Sequence, residues 1–533
     1  MWTHRARPVN ASGPPDRVVV IGAGMGGLAA ALDLATAGAE VKLFEAQADP
    51  GGKARRVTAG DRTVAAGPTV FTMRRVFEAL FEAAGERLDA HLTLTPAETL
   101  ARHAWPDGSR LDLFADPARS ESAIAEFAGG AEAARFRAFS ARAERLFAAL
   151  SPTFIESQKP GPLAVARAIG PRPGLLGDMA PGLSLWRALG RDLRDPRLRQ
   201  LFGRYATYVG GSPYLSPALL MLIWHVEASG VWLVEGGISR IARVLANLVA
   251  ARGAEIRYEA PVAEILVDGG RVSGVRLADG ERIAADRVIF NGDVGALAAG
   301  RLGAAVRRAV AGVPRRARSL SALTLTMQAD ASGFPLHHHT VFFGADYARE
   351  FREIVTERRL PTDPTVYLCA EDRGADGAPP EEADRLLAII NAPADGDLRG
   401  FNEEEIEACQ TGAFETLARA GLTLTPRPGA LMRTTPATFE RLFPATGGAL
   451  YGRAPHGMMA SFRRPGARTR LPGLYLAGGS THPGAGVPMA TLSGRLAAAA
   501  LLEDRASTSV SIRAATPGGT STASPTTGRT RSR

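Results

Sequence analysis

Six residues near the start of the chain, Gly22-Ala23-Gly24-Met25-Gly26-Gly27, have types and a spacing that suit anion binding. In a G-x-G-x-x-G pattern the first glycine allows a strand to turn sharply into a helix. The second lets backbone approach a pyrophosphate, and the third lets helix and strand pack closely. The pyrophosphate then lies at the helix N-terminus, where free N–H groups and the helix dipole favour negative charge. Glu45 closes the next apolar run, where a carboxylate accepts both hydroxyls of an adenosine ribose and disfavours a 2′-phosphate. Pro50-Gly51-Gly52-Lys53-Ala54 adds a second glycine loop with N–H groups for the same phosphates. Together these residues are expected to hold a dinucleotide.

They need elements to position them. Arg17–Ile21 (RVVVI) reads as a buried strand, Gly22–Gly27 as a tight turn, and Leu28–Ala37 as a small-residue helix ended by Gly38. Glu40–Glu45 (EVKLFE) is the second strand. Ala254–Asp293 reads as strands with turns at Asp268-Gly269-Gly270 and Asp279-Gly280. Near the end, Gly473–Ala477 is a strand, followed by a glycine-rich loop and a helix from about Met489 to Leu502. Two longer inserts separate these pieces. Residues of about 111–232 are mainly helical and broken by prolines, and residues of about 301–440 are mixed. In the second, Ser321–Gln328 alternates apolar and polar side chains as a half-buried strand does, and Thr365–Cys369 and Leu386–Ile390 read as further strands of its sheet. The expected architecture is α/β, with one domain from residues 17–110, 233–300 and 441–505 and a mixed α+β substrate and membrane-contact domain from 111–232 and 301–440. Residues 1–16 and 506–533, rich in Pro, Gly, Ser and Thr, read as disordered.

The composition of the 533 residues, 45% hydrophobic and 22% charged, is that of globular domains and excludes a fibre, a disordered chain or a small disulfide scaffold. Cys369 and Cys409 lie far apart, form no ligand pair or framework, and point to a reducing compartment. The net charge is +9, but Arg505 to Arg533 carries five arginines and no acid. Lys42, Lys53 and Lys159 are the only lysines. No clustered basic face with interleaved aromatics stands out, so nucleic acid is not an expected partner. The longest apolar candidate span, Val18 to Leu32, is too short and glycine-rich to cross a bilayer, and the N-terminus lacks the apolar core of a secretory signal. A cytoplasmic protein with peripheral membrane contact is the expectation.

The succession of strand, glycine loop, helix, strand-Glu and Gly-Gly resembles the glutathione-reductase-type FAD-binding fold, in its amine-oxidase and carotenoid-desaturase branch. The C-terminal run Gly473-Leu-Tyr-Leu-Ala-Gly-Gly-Ser-Thr-His-Pro-Gly-Ala-Gly-Val-Pro-Met-Ala-Thr-Leu-Ser-Gly494 resembles the signature of the bacterial phytoene-dehydrogenase family. Within it, Phe202–Tyr214, Gly230–Gly237, His337–Phe343 and Gly448–Gly452 are most similar to the branch acting on acyclic hydroxycarotenoids, the hydroxyneurosporene and methoxyneurosporene dehydrogenases. The resemblance implies a Rossmann-like FAD domain with a substrate domain inserted. It implies that FAD is held by Gly22, Ala23, Gly24, Met25, Gly26, Gly27, Glu45, Gly51, Gly52 and Lys53. Val262 would contact the adenine, and Gly479, Ser480, Pro488 and Met489 the flavin end. Many related flavoproteins carry an acid in the last loop, whereas Gly478-Gly479-Ser480-Thr481-His482 has none.

The implied reaction is desaturation of an acyclic carotenoid, a 1-hydroxycarotenoid at C3–C4, at the surface of the inner or photosynthetic membrane, with a quinone or dioxygen reoxidising the flavin. No residue announces itself as the base; Glu235, His225, Tyr208 and His482 are candidates. Pro213–Trp224, Phe342-Phe343, Leu175-Leu176 and Met179 are candidate linings for an apolar path. His337–His339 alternate faces if they lie on a strand and so cannot converge on one ion; no metal is expected. A phytoene desaturase or other carotenoid oxidoreductase, a flavin amine oxidase with a flavin-side lysine, and a flavin-binding scaffold without activity remain alternatives.

Overall fold

The computed structural model describes residues 16–170 and 173–514. The segments 1–15 and 515–533, where disorder was expected, lie outside the described residues.

Arg17–Ile21 forms because consecutive β-branched residues suit a strand covered on both faces; Val18, Val19 and Val20 are 1%, 1% and 0% exposed. It sits at the centre of a five-stranded sheet whose order is Leu474–Leu476, Arg287–Phe290, Arg17–Ile21, Glu40–Phe44 and Glu255–Arg257. Every pair is parallel, so segments hundreds of residues apart present their carboxyl ends at one edge. Ligands of open α/β sheets bind at that edge. The first helix spans Met25–Thr36 and begins before the expected Leu28. Its first turn absorbs Gly26 and Gly27, because a Cβ on Gly27 would lie 2.1 Å from the Gly22 carbonyl oxygen. Behind it packs the last helix, Val487–Ala514, so closely that a Cβ on Gly494 would stand 2.0 Å from the Gly26 carbonyl. That helix runs past the expected Leu502 and into the stretch from Ala506 that was read as a disordered tail.

The second sheet has seven strands, in the order Thr423–Thr434, Ser321–Ser332, Asp384–Ala392, Val366–Ala370, His339–Phe342, Thr99–Ala104 and Arg110–Phe114. Two results differ from expectation. Thr99–Ala104, placed by sequence with the cofactor domain, pairs in parallel with His339–Phe342 of this sheet. Ser321–Ser332 is buried from Ser321 to Ala329 and not on one face only. Its polar face is covered by the hairpin Arg56–Ala59/Arg62–Ala65: Gln328 Nε2 donates to the Ala59 carbonyl at 2.5 Å and to Asp61 Oδ1 at 2.8 Å. The helical insert, chiefly Pro117–Ala128, Gly130–Leu150, Leu185–Asp192, Pro196–Gly203 and Leu222–Ala228, packs further along that face against Val341 and Tyr367, while the helix Glu403–Arg419 covers the opposite face. Its core stacks Phe136, Phe139, Phe202, Tyr205 and Trp224.

Candidate cofactor edge and substrate cavity

At the carboxyl edge of the parallel sheet the early and late glycine loops meet. A Cβ on Gly26 would lie 2.8 Å from the Gly478 nitrogen and 2.9 Å from the Ala490 carbonyl oxygen. Gly22, at φ 98°, makes the turn, and its N–H donates to the Phe44 carbonyl at 2.8 Å. The Gly51 N–H donates to the Ala23 carbonyl at 2.8 Å, and a Cβ on Gly52 would lie 3.4 Å from the Gly24 Cα, so the two glycine loops share one surface. Glu45 is buried; its Oε2 accepts the Ala23 N–H at 2.7 Å and its Oε1 the Gln47 N–H at 2.9 Å. Each oxygen keeps a further lone pair. The Ala260 N–H donates to the Glu45 carbonyl at 2.9 Å, which brings Val262, at the start of the next strand, close to Glu45.

Residues the sequence reading did not single out complete this edge. Asn291 follows the fourth strand of the sheet; its Nδ2 donates to the Gly22 carbonyl at 3.2 Å, and its buried Oδ1 has no partner. Asp293 caps the next short helix through Oδ1, while its buried Oδ2 has no partner. The motif Asn291-Gly292-Asp293 directly after a strand was the available signal. Asp293 comes from a different strand than the loop in which an acid was sought. Ser480 Oγ accepts the Val294 N–H at 3.3 Å, which ties that loop to Asp293's helix. Arg464 is buried and donates to the carbonyls of Gly479 at 2.8 Å and of Tyr451 and Arg453 at 2.7 Å. Burial pulls its pKa down to about 10, with Asp293 opposing. Lys53 Nζ donates to the Leu450 carbonyl at 2.5 Å, and burial lowers its pKa as well. No alignment of sequence positions would have shown that Lys53 and Arg464 grip the same segment.

Beside this edge opens a cavity of about 1230 Å³. Pro488 and Met489, at the start of the last helix, form part of its wall; Phe147, Phe154, Leu219, Leu220 and Ile223 supply hydrocarbon. Of the expected lining, Tyr214–Leu215, Pro217–Leu220, Leu222-Ile223, Leu176 and Met179 are in it. Pro213, Ser216, Met221, Leu175, Trp224, Phe342 and Phe343 are not, and five of them belong to cores: Leu175, Met221, Trp224 and Phe343 pack in the insert, and Phe342 in the second sheet. The lining residues Leu176, Leu215, Met458 and Met459 are also exposed to solvent, so they mark its mouth.

Residues 25–502 match the family described as flavin containing amine oxidoreductase. The chain is 52% identical over 515 residues to a hydroxyneurosporene desaturase of Rubrivivax gelatinosus, covering 96% of this chain and 98% of that one. It is 50% identical over 493 residues to a hydroxyneurosporene desaturase of Cereibacter sphaeroides, covering 92% and 99%. The chain belongs to the flavin-containing amine oxidoreductase family. A crystal structure of an oxidoreductase from Methanosarcina mazei shares the fold, with a TM-score of 0.57 and 17% identity over 91% of this chain and 100% of that one.

In this family member the four candidate bases separate. Glu235 is exposed at the end of a short strand and lies off the cavity lining. His225 also lies off it, with Nε2 3.3 Å from Ser229 Oγ and its ring 4.9 Å from Phe147. His482 is buried behind the last loop; its Nε2 meets the Ser157 carbonyl at 3.2 Å, and burial holds its pKa at about 4. Only Tyr208 of the four lines the cavity. Its hydroxyl donates to Glu227 Oε2 at 2.8 Å and accepts from Arg204 at 2.9 Å; desolvation, reinforced by Glu227, raises its pKa, so it keeps its proton. Arg204 and Glu227 line the same cavity and went unnoticed in the sequence, where lone charges in a helical insert resemble any solvated face.

The histidine triplet also departs from the reading. The strand begins at His339, so His338 is free of its alternation, and ligating atoms of His338, His339 and Cys369 fall within 4.8 Å of one another. His339 Nδ1 bonds the Tyr367 hydroxyl at 2.7 Å and His338 Nδ1 the Arg373 carbonyl at 2.8 Å. Burial keeps both imidazoles neutral and Cys369 a thiol.

Proposed function

We propose that the protein desaturates an acyclic carotenoid carrying a hydroxyl at one end, a 1-hydroxycarotenoid at C3–C4, with FAD as cofactor. The observation that carries this reading is the apolar cavity of about 1230 Å³ walled by Pro488 and Met489 of the segment that meets the first glycine loop. The edge fits the cofactor: glycine backbone lines it from Gly24, Gly52 and Gly479, and the partnerless buried Asn291 Oδ1 and Asp293 Oδ2 await donors. Gly22–Gly27 with Gly51 and Gly52 would take the pyrophosphate, Glu45 the ribose, Val262 the adenine, and Lys53, Gly479, Ser480, Pro488 and Met489 the flavin end. FAD supplies acceptance of a hydride from the saturated C–C bond, while a proton leaves the adjacent carbon and the bond becomes double. The chain's share is to orient the polyene and keep water out. A quinone or dioxygen takes up the electrons.

The relatives named hydroxyneurosporene desaturase support the substrate class. The charged lining is net positive, Arg187, Arg204 and Arg464 against Glu227, which disfavours a small cationic amine. Among the described residues no helix is long and apolar enough to cross a membrane. Peripheral docking at the membrane is supported by Leu176, Leu215, Met458 and Met459, 56%, 47%, 53% and 45% exposed at the mouth, because a polyene must pass from lipid to protein there. The test is anaerobic mixing of the flavin-loaded protein with a terminally hydroxylated acyclic carotenoid. Bleaching of the flavin band with a red-shifted carotenoid spectrum is expected; an unchanged flavin band overturns the reading.

A further inference from the structure

Arg204 and Glu227 are 4% and 2% exposed, yet both face a cavity made mostly of hydrocarbon. Burying two charges costs several kcal/mol per ion unless partners compensate. Here compensation is incomplete. Glu227 accepts the Tyr205 hydroxyl on Oε1 at 2.7 Å and the Tyr208 hydroxyl on Oε2 at 2.8 Å, which leaves one lone pair on each oxygen. Arg204 donates to Tyr208 at 2.9 Å through Nη2; its Nε is closed off from the cavity, which leaves Nη1 as the donor still free to serve it. The cluster therefore offers a spare donor beside a spare acceptor, the pair that an alcohol satisfies and a hydrocarbon does not.

Its place in the fold adds to this. The segment holding Arg204 and Tyr208 ends at Gly210, at φ 72°, where a Cβ would stand 2.4 Å from the Tyr451 ring. Tyr451 and its neighbour Leu450 give their carbonyls to Arg464 and Lys53, the two cations of the cofactor edge. The polar cluster thus lies on the cofactor side of the cavity, while the exposed lining residues mark its mouth.

We propose that Arg204, Tyr208 and Glu227 form a hydroxyl-reading site that seats the oxygenated end of the carotenoid inside the cavity and sets which C–C bond meets the cofactor. This rests on the desaturase reading above and goes beyond it by naming the groups that choose substrate and register. The substrate oxygen accepts from Arg204, and its proton is shared with Glu227. The C3–C4 bond then lies within a few bonds of the anchored oxygen, and the polyene runs out along Leu219, Leu220 and Ile223. All three are positioning residues.

The experiment compares kcat/KM for two acyclic carotenoids that differ only in the terminal tertiary hydroxyl, using wild type, Tyr208→Phe and Glu227→Gln with flavin content checked by absorbance. Wild type is expected to favour the hydroxylated carotenoid by about 100-fold, since a site built to hydrogen-bond a hydroxyl rejects the analogue lacking it. Glu227→Gln should shrink that ratio about tenfold or more, and Tyr208→Phe by a smaller factor. Flavin-loaded variants that lose activity on both carotenoids by one common factor, or keep the wild-type ratio, overturn the proposal. Equal kcat/KM in the wild type overturns it without any variant. A wild type inactive on both carotenoids sinks the desaturase reading itself, a result distinct from an active enzyme that ignores the hydroxyl.

Discussion

The cofactor edge and the cavity beside it are made from opposite materials. At the edge, glycine backbone forms much of the surface and leaves no room for side chains at its turns: Cβ atoms on Gly24 and Gly26 would each lie 2.7 Å from an Asn291 side-chain atom. In the cavity, side chains make the wall, and many apolar residues could exchange places without changing its character. Charged groups are few there, Arg187, Arg204, Glu227 and Arg464, and Arg204 and Glu227 sit together with Tyr208. Substitutions at the edge should therefore act on cofactor retention, and those in the cavity on substrate.

The sharpest break of that contrast is Gly24→Val. Its side chain intrudes on the phosphate surface shared with Gly52 and clashes with Asn291 Nδ2. Flavin content in the purified variant should fall about tenfold or more. Normal flavin content would show that the pyrophosphate does not pass there. Next comes Ile223→Trp, which narrows the cavity along the polyene's path without touching the edge. Flavin content should stay at the wild-type level, while kcat/KM on the carotenoid falls about tenfold or more. Equal losses of flavin and turnover would mean that the two regions are not separable in this way. Arg464→Met sits between them. It leaves three carbonyls without their donor, at about 1 kcal/mol or more each, so unfolding should shift down by roughly 3 °C or more with partial loss of flavin. An unshifted melting curve would mean that solvent replaces Arg464 at no cost.

The same contrast explains what was legible in the sequence. Gly22–Gly27, Glu45, Gly51-Gly52 and the run after Gly473 could be read because a backbone-built surface constrains residue type and spacing locally, over a few consecutive positions. Asn291 and Asp293 escaped because a carboxamide and a carboxylate after a strand are common, and their meaning comes from meeting a loop nearly 190 residues further on. Arg464 escaped for a related reason: its partners are carbonyls, which carry no sequence signature. In the cavity, periodic apolar residues look alike whether they face a void or a core. Trp224 and Phe343 were thus placed on the path when they pack inside the insert. The strand Ser321–Ser332 looked half-buried since Thr324, Thr326 and Gln328 alternate with Leu and Met; only the covering hairpin, from a distant segment, reveals why polar residues sit inside.

The smallest effect concerns acid stability, and it sets the buried histidines against Glu350. Burial holds His482 and His456 neutral, each down to about 4, and pushes His103 and His339 further in the same direction. An unfolded histidine takes its proton near pH 6.5. The unfolded chain therefore binds more protons between the two values, and stability present above about pH 6.5 is lost as pH falls through 4. For His482 the full loss is about 3 kcal/mol. Glu350, on a short helix beside the second sheet, works the other way. Burial raises its pKa to about 7 against the hydrogen bonds from Thr365 and Asn391. Its contribution is complete below the usual carboxylate pKa and is lost as pH rises through 7. The histidines that burial lowers, His103, His225, His337, His338, His339, His456 and His482, outnumber the carboxyls that burial raises, Glu350, Glu227, Asp33 and Asp192, so denaturant unfolding between pH 7 and 4.5 should show net destabilisation on acidification. Glu350→Gln should steepen that dependence and His482→Asn should flatten it. A His482→Asn protein with the wild-type slope would mean that this imidazole takes up its proton in the folded protein at the same pH as in the unfolded chain, so that burial does not hold it neutral.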